Sequence, residues 1–393
     1  MLGRAMLKQV KRVNARFMST QQNTPTQASK LPEFLGEYTE LFKKSQAMEK
    51  ILPRRVNNLD ELKSLSMDKM SFLNKDSDIK SVNKGLIDPI YDLLDNGGKR
   101  WRPVLGMTFA EALGTDIRDT KKNELLYYCM GSAELIHNAS LLVDDILDQS
   151  LKRRGGPCAY IKYGLDIAVN TGNFLYFLPM AKLSTAVKYT NPLYSHLLKI
   201  MIEELSNLHY GQNWDINWHN GKTMPNVNDY FQMTSHKTGI IPRMTARMVW
   251  AINGSDEKTT DAITSFADKI GIAFQIYDDV LAIDSEIYAD TRGLIGEDIH
   301  EGKRSLMVIH SCHNLNKKGK SRLLEILDMK TENHDLIQEA INLIKSTDSI
   351  NYAKKTSFNI VKDAWAEVDI ILPNTPAKSK LKSIANYLID RDM

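Results

Sequence analysis

Two clusters of acidic residues, about 130 positions apart, carry the strongest chemical signal in this chain. Asp144, Asp145 and Asp148 follow the apolar run Ser140-Leu141-Leu142-Val143, with Arg153-Arg154-Gly155 shortly after them. Asp278 and Asp279 follow Gly271-Ile272-Ala273-Phe274-Gln275. Charge is costly to bury in apolar stretches of this kind. On a helix, carboxylates at i and i+4 share one face, and i+1 sits at its shoulder. Acids crowded in this way repel each other unless a cation joins them. Hard divalent ions such as magnesium take oxygen ligands and typically join a few carboxylates to substrate phosphates. The clusters therefore imply metal-assisted chemistry on a phosphorylated substrate.

A diphosphate ligand also needs positive charge, and three groupings supply it. They are Gly97-Gly98-Lys99-Arg100-Trp101-Arg102-Pro103, Arg153-Arg154-Gly155-Gly156 and Lys237-Thr238-Gly239. Arginine's planar fork grips phosphate oxygens in pairs, while lysine acts as a point charge. Each grouping alone reads as a solvated surface or an ordinary turn. Their joint occurrence with two acid clusters is what argues for a site.

The elements that must position these residues are helices. Apolar residues recur at helical intervals over 78–94 and 124–147, and again over about 166–188, 193–213, 228–252 and 256–283. Shorter patterns cover 303–314, 320–328, 333–345, 350–370 and 376–391. The stretch 124–147 is apolar on most sides, which suits a helix inside a bundle. No sustained alternation argues for strands. Composition predicts loops at 95–102, 149–158, 217–227 and 284–302, and two of them directly follow the acid clusters. Helix ends in a bundle bring such loops together at one mouth. The reading is all-α: one antiparallel helical domain over 33–393 with a central apolar cavity.

The first 32 residues differ. They hold six basic residues (Arg4, Lys8, Lys11, Arg12, Arg16, Lys30), no acid, and a Ser/Thr/Gln-rich stretch from Ser19 to Ser29. This composition predicts a mitochondrial transit peptide and a matrix location, the alternative being a basic tail on a cytoplasmic protein. Removing these six charges takes the formal net charge from +3 to −3, so nothing in the body's charge suggests nucleic-acid binding. No apolar run is long enough to span a bilayer. The three cysteines, Cys129, Cys158 and Cys312, are widely spaced and read as buried filler.

Taken in order, the motifs resemble those of the trans-isoprenyl diphosphate synthases. The resemblance rests on residues 97–103, on Leu-Ile-His-Asn-Ala-Ser-Leu-Leu-Val-Asp-Asp-Ile-Leu-Asp at 135–148, and on Arg-Arg-Gly at 153–155. It continues through Gly211-Gln212 with Asp215, Lys237-Thr238, Phe-Gln-Ile-Tyr-Asp-Asp at 274–279 and Glu-Asp-Ile-His-Glu-Gly-Lys-Arg at 297–304. The context at 138–142 is most similar to geranylgeranyl diphosphate synthases and longer-chain relatives. The resemblance implies the isoprenoid synthase fold and a homodimer. It also implies condensation of isopentenyl diphosphate with an allylic prenyl diphosphate, assisted by three Mg2+ ions. By the same resemblance, Asp144 and Asp148 hold two ions with Asp145 in support, and Asp278 holds the third with Asp279 nearby. Arg153, Lys237 and Lys303 contact the allylic diphosphate. Lys99, Arg102, His137 and Arg154 bind the diphosphate of isopentenyl diphosphate. Thr238 and Gln275 place dipoles near the developing cation.

Two positions depart from the pattern. Ala282 stands where the second cluster usually has a third acid, and Gly293 beside Arg292 stands where a lysine is usual. Both put the third metal site in question. Product length is expected to depend on Ala139 and Ser140, one helical turn before Asp144. Bulky aromatics there stop growth at fifteen carbons in the resembled family, so these small residues point to twenty carbons or more. Tyr127, Tyr128, Phe174, Tyr176 and Phe177 are candidates for a deeper floor. Two other readings are a terpene synthase ionising a prenyl diphosphate, and a non-catalytic subunit of a heteromeric synthase. The four-residue isopentenyl diphosphate set argues against the first and the intact first acid cluster against the second.

Overall fold

The structure, a computed structural model, describes residues 33–66, 73–254, 256–284 and 296–389. The leader and the Arg292–Gly293 departure lie outside the described residues. The helices include α1 (Glu33–Ser45), α2 (Asp88–Asp95), α3 (Trp101–Ala112), α4 (Glu124–Leu147), α5 (Leu165–Ala181), α6 (Pro192–His219), α7 (Val227–Thr234) and α8 (Ile240–Asn253). They continue as α9 (Glu257–Asp284), α10 (Glu297–Glu301), α11 (Leu306–Asn314), α12 (Lys317–Met329), α13 (His334–Lys345), α14 (Ser349–Asp369) and α15 (Pro376–Ile389).

Local chemistry sets several of the starts. The Asn191 side chain accepts from the Leu193 amide just before Pro192, which needs no amide partner at the first helical position. Asn226 and Asp229 form a reciprocal capping box at α7. Asn316 and Asn333 cap α12 and α13.

Burial then arranges the helices. α4 is buried on nearly every side from Leu126 to Leu142 and packs against α3, α5 and α8. Tyr128, early in α4, donates to the carbonyl of Pro179, late in α5. Gly172 of α5 lies against Val143 and Leu142 at the other end of α4, so the two helices run antiparallel. α9 packs against α8, α14 and α15. One apolar cluster joins α1 to α6, α8, α9, α14 and α15, and a second lies under the C-terminal half of α9 with α10 to α13. Each fully buried Leu, Ile or Phe in these clusters contributes about 1.5–3 kcal/mol.

Four details correct the sequence reading. Residues 228–252 are not one helix, because a five-residue π turn, Ser235–Gly239, separates α7 from α8. Another π turn, Asn83–Ile87, interrupts the helix expected over 78–94. The loop expected over 149–158 contains a two-stranded antiparallel hairpin, β1 (Lys152–Arg153) and β2 (Gly156–Pro157). α3 also begins at Trp101, inside the stretch 95–102 expected to be loop. Pro103 does not prevent this, since a first-turn amide has no intrahelical partner to lose.

Candidate active site

α3, α4, α6, the π turn, α9 and α10 enclose a cavity of about 870 Å³. It is lined by Lys99, Arg102, His137, Ser140, Asp144, Arg153, Arg154, Lys237, Thr238, Gln275, Asp278, Asp279 and Lys303. Thirteen of the sixteen residues singled out from sequence thus share one chamber. Asp145, Asp148 and Ala139 are not among the lining residues.

The α4 wall is a set of carboxylates answered by cations. Lys237 reaches Asp144 Oδ1 at 3.1 Å and Asp215 Oδ2 at 2.6 Å, and Gln212 donates to Asp144 at 3.2 Å. Burial alone would raise Asp144, but Lys237, Lys303 and Arg153 hold it well below the usual carboxylate range. Burial would likewise neutralise Lys237, yet Asp144 and Asp215 raise it above an ordinary lysine. Asp145 turns away from the chamber: it is buried and accepts from Arg153 Nε at 2.7 Å and from Arg153 Nη2. Asp148 stands behind Lys303, which lies 3.3 Å from it and 2.5 Å from Glu301. Asp148 borders an adjoining cavity of about 420 Å³ with His219 and Glu301. Burial and the Asp144 charge push its carboxyl up to about 6.

Close backbone contact makes room for Lys237 and Thr238. A Cβ on Gly211 of α6 would collide with the Lys237 amide. One on Gly271 of α9 would lie 2.7 Å from the Gly239 Cα. The π turn is therefore pressed between α6 and α9 at positions that only glycine permits. π turns of this kind recur at functional sites.

The α9 wall is built differently. Thr238 donates to Gln275 Oε1 at 2.8 Å, and Gln275 Nε2 donates to Asp279 Oδ1 at 2.8 Å. The Tyr230 hydroxyl donates to Asp279 Oδ2, also at 2.8 Å. Burial, reinforced by Asp298, pushes the Asp279 carboxyl up to about 8. Because the Thr238 proton is committed to Gln275, the lone pairs of its oxygen remain available to the chamber. Ala282 is buried, in line with its missing charge.

The basic set opposes these walls. Arg102 Nη1 donates to His137 Nε2 at 3.0 Å. Arginine has no acceptor, so His137 is neutral with its proton on Nδ1. Burial and the flanking Arg102 and Arg154 indeed hold it well below an ordinary histidine. Arg154 donates to the Leu93 carbonyl at 2.7 Å, and its guanidinium lies against Gly98. Burial lowers it to about 10. Lys99 sits 5.5 Å from the Tyr387 ring of α15. Arg100 adopts a left-handed backbone (φ 49°) and is tied to the buried Glu134 and to the Leu94 carbonyl. Those bonds stabilise a turn that aims Lys99 and Arg102 from opposite ends.

Apolar side chains, among them Leu208, Ile241 and Phe274, also line the chamber. Ser140 lines it, whereas Ala139 is wholly buried in helix packing. Of the five candidate floor aromatics only Tyr176 is a lining residue, and its ring lies 5.7 Å from His209, another lining residue. Tyr127 and Tyr128 are buried with their hydroxyls on carbonyls, Phe174 is half-buried, and Phe177 is exposed.

The donor set suits a hard cation. Asp144 and Asp278 offer oxygen, and Asp148 Oδ1 is buried without a hydrogen-bond donor. Among the described residues no three His, Cys, Asp or Glu side chains converge to enclose a metal by themselves. Magnesium does not need such a cage, since it takes one or two carboxylates and completes its shell with water and substrate phosphate.

Sequence reasoning gave no role to several residues that matter here. Asp215 stood within a motif but is the second anchor of Lys237. Tyr230 and Glu134 carried no signal of their own.

Residues 83–344 match the polyprenyl synthetase family model. The chain belongs to the polyprenyl synthetase family. It is 34% identical over 305 residues to the geranylgeranyl pyrophosphate synthase of Dictyostelium discoideum, covering 77% of this chain and 94% of that one. Its fold matches the crystal structure of geranylgeranyl pyrophosphate synthetase from Pyrococcus horikoshii Ot3 with a TM-score of 0.72 and 28% identity, over 91% of this chain and 100% of the other. A geranylgeranyl pyrophosphate synthase from Corynebacterium glutamicum, crystallised with isoprenyl diphosphate and magnesium, shares the fold at a TM-score of 0.74 and 18% identity, over 92% and 100% of the two chains. This family member is a prenyltransferase of the trans-isoprenyl diphosphate synthase type, with the all-α fold expected from its sequence. Divalent metal use is consistent with the family and with the oxygen donors described above. No described helix is long and apolar enough to cross a membrane.

Proposed function

We propose that the protein condenses isopentenyl diphosphate head-to-tail with an allylic prenyl diphosphate, giving geranylgeranyl diphosphate or a longer polyprenyl diphosphate. The observation that carries this reading is the single chamber in which Asp144 of α4 and Asp278 of α9 meet two separate sets of cations. Arg153, Lys237 and Lys303 grip the allylic diphosphate, and Lys99, Arg102 and Arg154 grip the other, with His137 holding the Arg102 fork.

Asp144, Asp148 and Asp278 would hold Mg2+, three ions by the resemblance, and the bound metal would supply positive charge to offset the diphosphate charge that builds as the allylic C–O bond breaks. The arginines and lysines add to that stabilisation and keep the two substrates in register. The Thr238 and Gln275 oxygens face the carbon that becomes positive. The double bond of isopentenyl diphosphate attacks that carbon, and a proton then leaves for the departed pyrophosphate. Asp145 acts through Arg153, whose guanidinium it fixes. The apolar side chains of the lining keep water from the cation. Ser140 leaves room for the growing chain, and the Tyr176–His209 pair closes the floor.

The outer face supports a homodimer. Leu165, Val169 and Phe177 of α5 and Ile202 and Tyr210 of α6 are exposed at helical spacing, an apolar face suited to a second copy. The basic leader supports delivery to the mitochondrial matrix. Incubation of the pure protein with Mg2+, isopentenyl diphosphate and radiolabelled allylic primers tests the reaction. Elongated diphosphates support it. A hydrocarbon or alcohol product indicates a terpene synthase, and turnover only after another subunit is added indicates a partner chain.

A further inference from the structure

The π turn that presents Lys237 and Thr238 has little to hold it from within. It packs on Gly211 and Gly271, which permit close approach but supply no side-chain attraction. Beyond the Lys237 pairs with Asp144 and Asp215 and the Thr238 bond to Gln275, it is anchored at its first residue by Arg243 of α8, which lies outside the chamber lining. Arg243 grips the Glu204 carboxylate of α6 through Nε at 2.9 Å and Nη2 at 2.7 Å. Its Nη1 donates to Asp268 Oδ1 of α9 at 2.6 Å and to Ser235 Oγ at 3.1 Å. Ser235 opens the π turn, and its hydroxyl donates in turn to Asp268 at 2.9 Å. The Glu204 side chain is 1% exposed and that of Arg243 14% exposed. One planar guanidinium therefore ties α6, α8 and α9 to the first residue of the turn, two residues before Lys237.

We propose that Arg243 is the positioning residue that fixes the π turn and so sets Lys237 and Thr238 against the allylic diphosphate. This rests on the assignment of Lys237 to the allylic substrate made above. Lys99, Arg102 and Arg154 stand on other elements, so a fault at Arg243 reaches one substrate and spares the other. Arg247, one turn further along α8, also binds Glu204 at 2.7 Å and Glu203 at 2.6 Å. Glu204 thus keeps a partner when Arg243 is changed, which favours folding of the variants.

The test is steady-state kinetics of Arg243→Lys with each substrate varied in turn, alongside its melting temperature. Lysine keeps the charge but cannot span Glu204, Asp268 and Ser235 together. The expected result is a roughly tenfold rise in KM for the allylic diphosphate and a roughly tenfold fall in kcat, with KM for isopentenyl diphosphate within about twofold of the parent. Asp268→Asn and Ser235→Ala should move the same two constants by less, and they carry the test if the lysine variant does not fold. Unchanged kinetics, or both KM values rising together with a fallen melting temperature, overturns the proposal. Lys237→Ala run in parallel separates the two levels. If it abolishes allylic binding while Arg243→Lys is normal, only the positioning role fails. If it leaves allylic binding intact, the assignment of Lys237 fails.

Discussion

The acid walls on α4 and α9 solve the same electrostatic problem in different ways. On α4 each carboxylate has a cation: Asp144 has Lys237, Asp145 has Arg153 and Asp148 has Lys303. On α9, Asp279 is held by neutral donors, the Tyr230 hydroxyl and the Gln275 amide, and the turn beyond it carries Ala282 instead of an acid. Charge-assisted bonds are roughly twice as strong as neutral ones, so the α4 wall is the more rigidly prepared of the two. The first wall is thus held by paired charges and the second by neutral hydrogen-bond donors.

That asymmetry can be broken by substitution. Asp144→Ala should lower turnover by about 10³-fold or more. Its fold should survive, because Lys237 keeps Asp215 at 2.6 Å. Circular dichroism and initial rates check both halves, and near-normal activity would refute the metal assignment. Asp145→Asn should lower both stability and allylic binding, because it removes the carboxylate that fixes the buried Arg153. A loss of about 3 kcal/mol is expected in urea unfolding, and an unchanged midpoint would mean that the pair contributes nothing. Asp278→Ala should cost less than Asp144→Ala, about 10²-fold, with a raised Mg2+ requirement in titrations. An equal or larger loss would erase the contrast between the walls. Tyr230→Phe removes one neutral donor from Asp279 and should slow the reaction by about tenfold at most. Ser140→Phe tests the shaft rather than the walls. It should shorten the product seen by chromatography while leaving the first condensation intact, and an unchanged product profile would reject Ser140 as a lining determinant.

Periodicity revealed the long helices because α4 and α9 bury side chains all along their length. The acid clusters stood out because charge inside apolar helix is rare enough to need a reason. The π turn did not show, since one extra residue barely disturbs the spacing of apolar side chains. The helix start at Trp101 was masked by the glycines and cations before it. Adjacency on α4 grouped Asp144 with Asp145, but a 100° step around the helix turns Asp145 toward Arg153. Tyr230 and Glu134 work through partners 49 and 34 residues away, contacts that no local pattern encodes.

The proposed reaction requires Asp144 and Asp148 on one side and Asp278 on the other to clasp divalent ions around a shared diphosphate. Anomalous diffraction from crystals soaked with Mn2+ and a non-hydrolysable allylic diphosphate analogue tests it most directly. Metal peaks are expected between the two walls, each within about 2.3 Å of a carboxylate oxygen and bridged by the analogue's phosphates. A fully bound analogue with no metal peak between those carboxylates would contradict it.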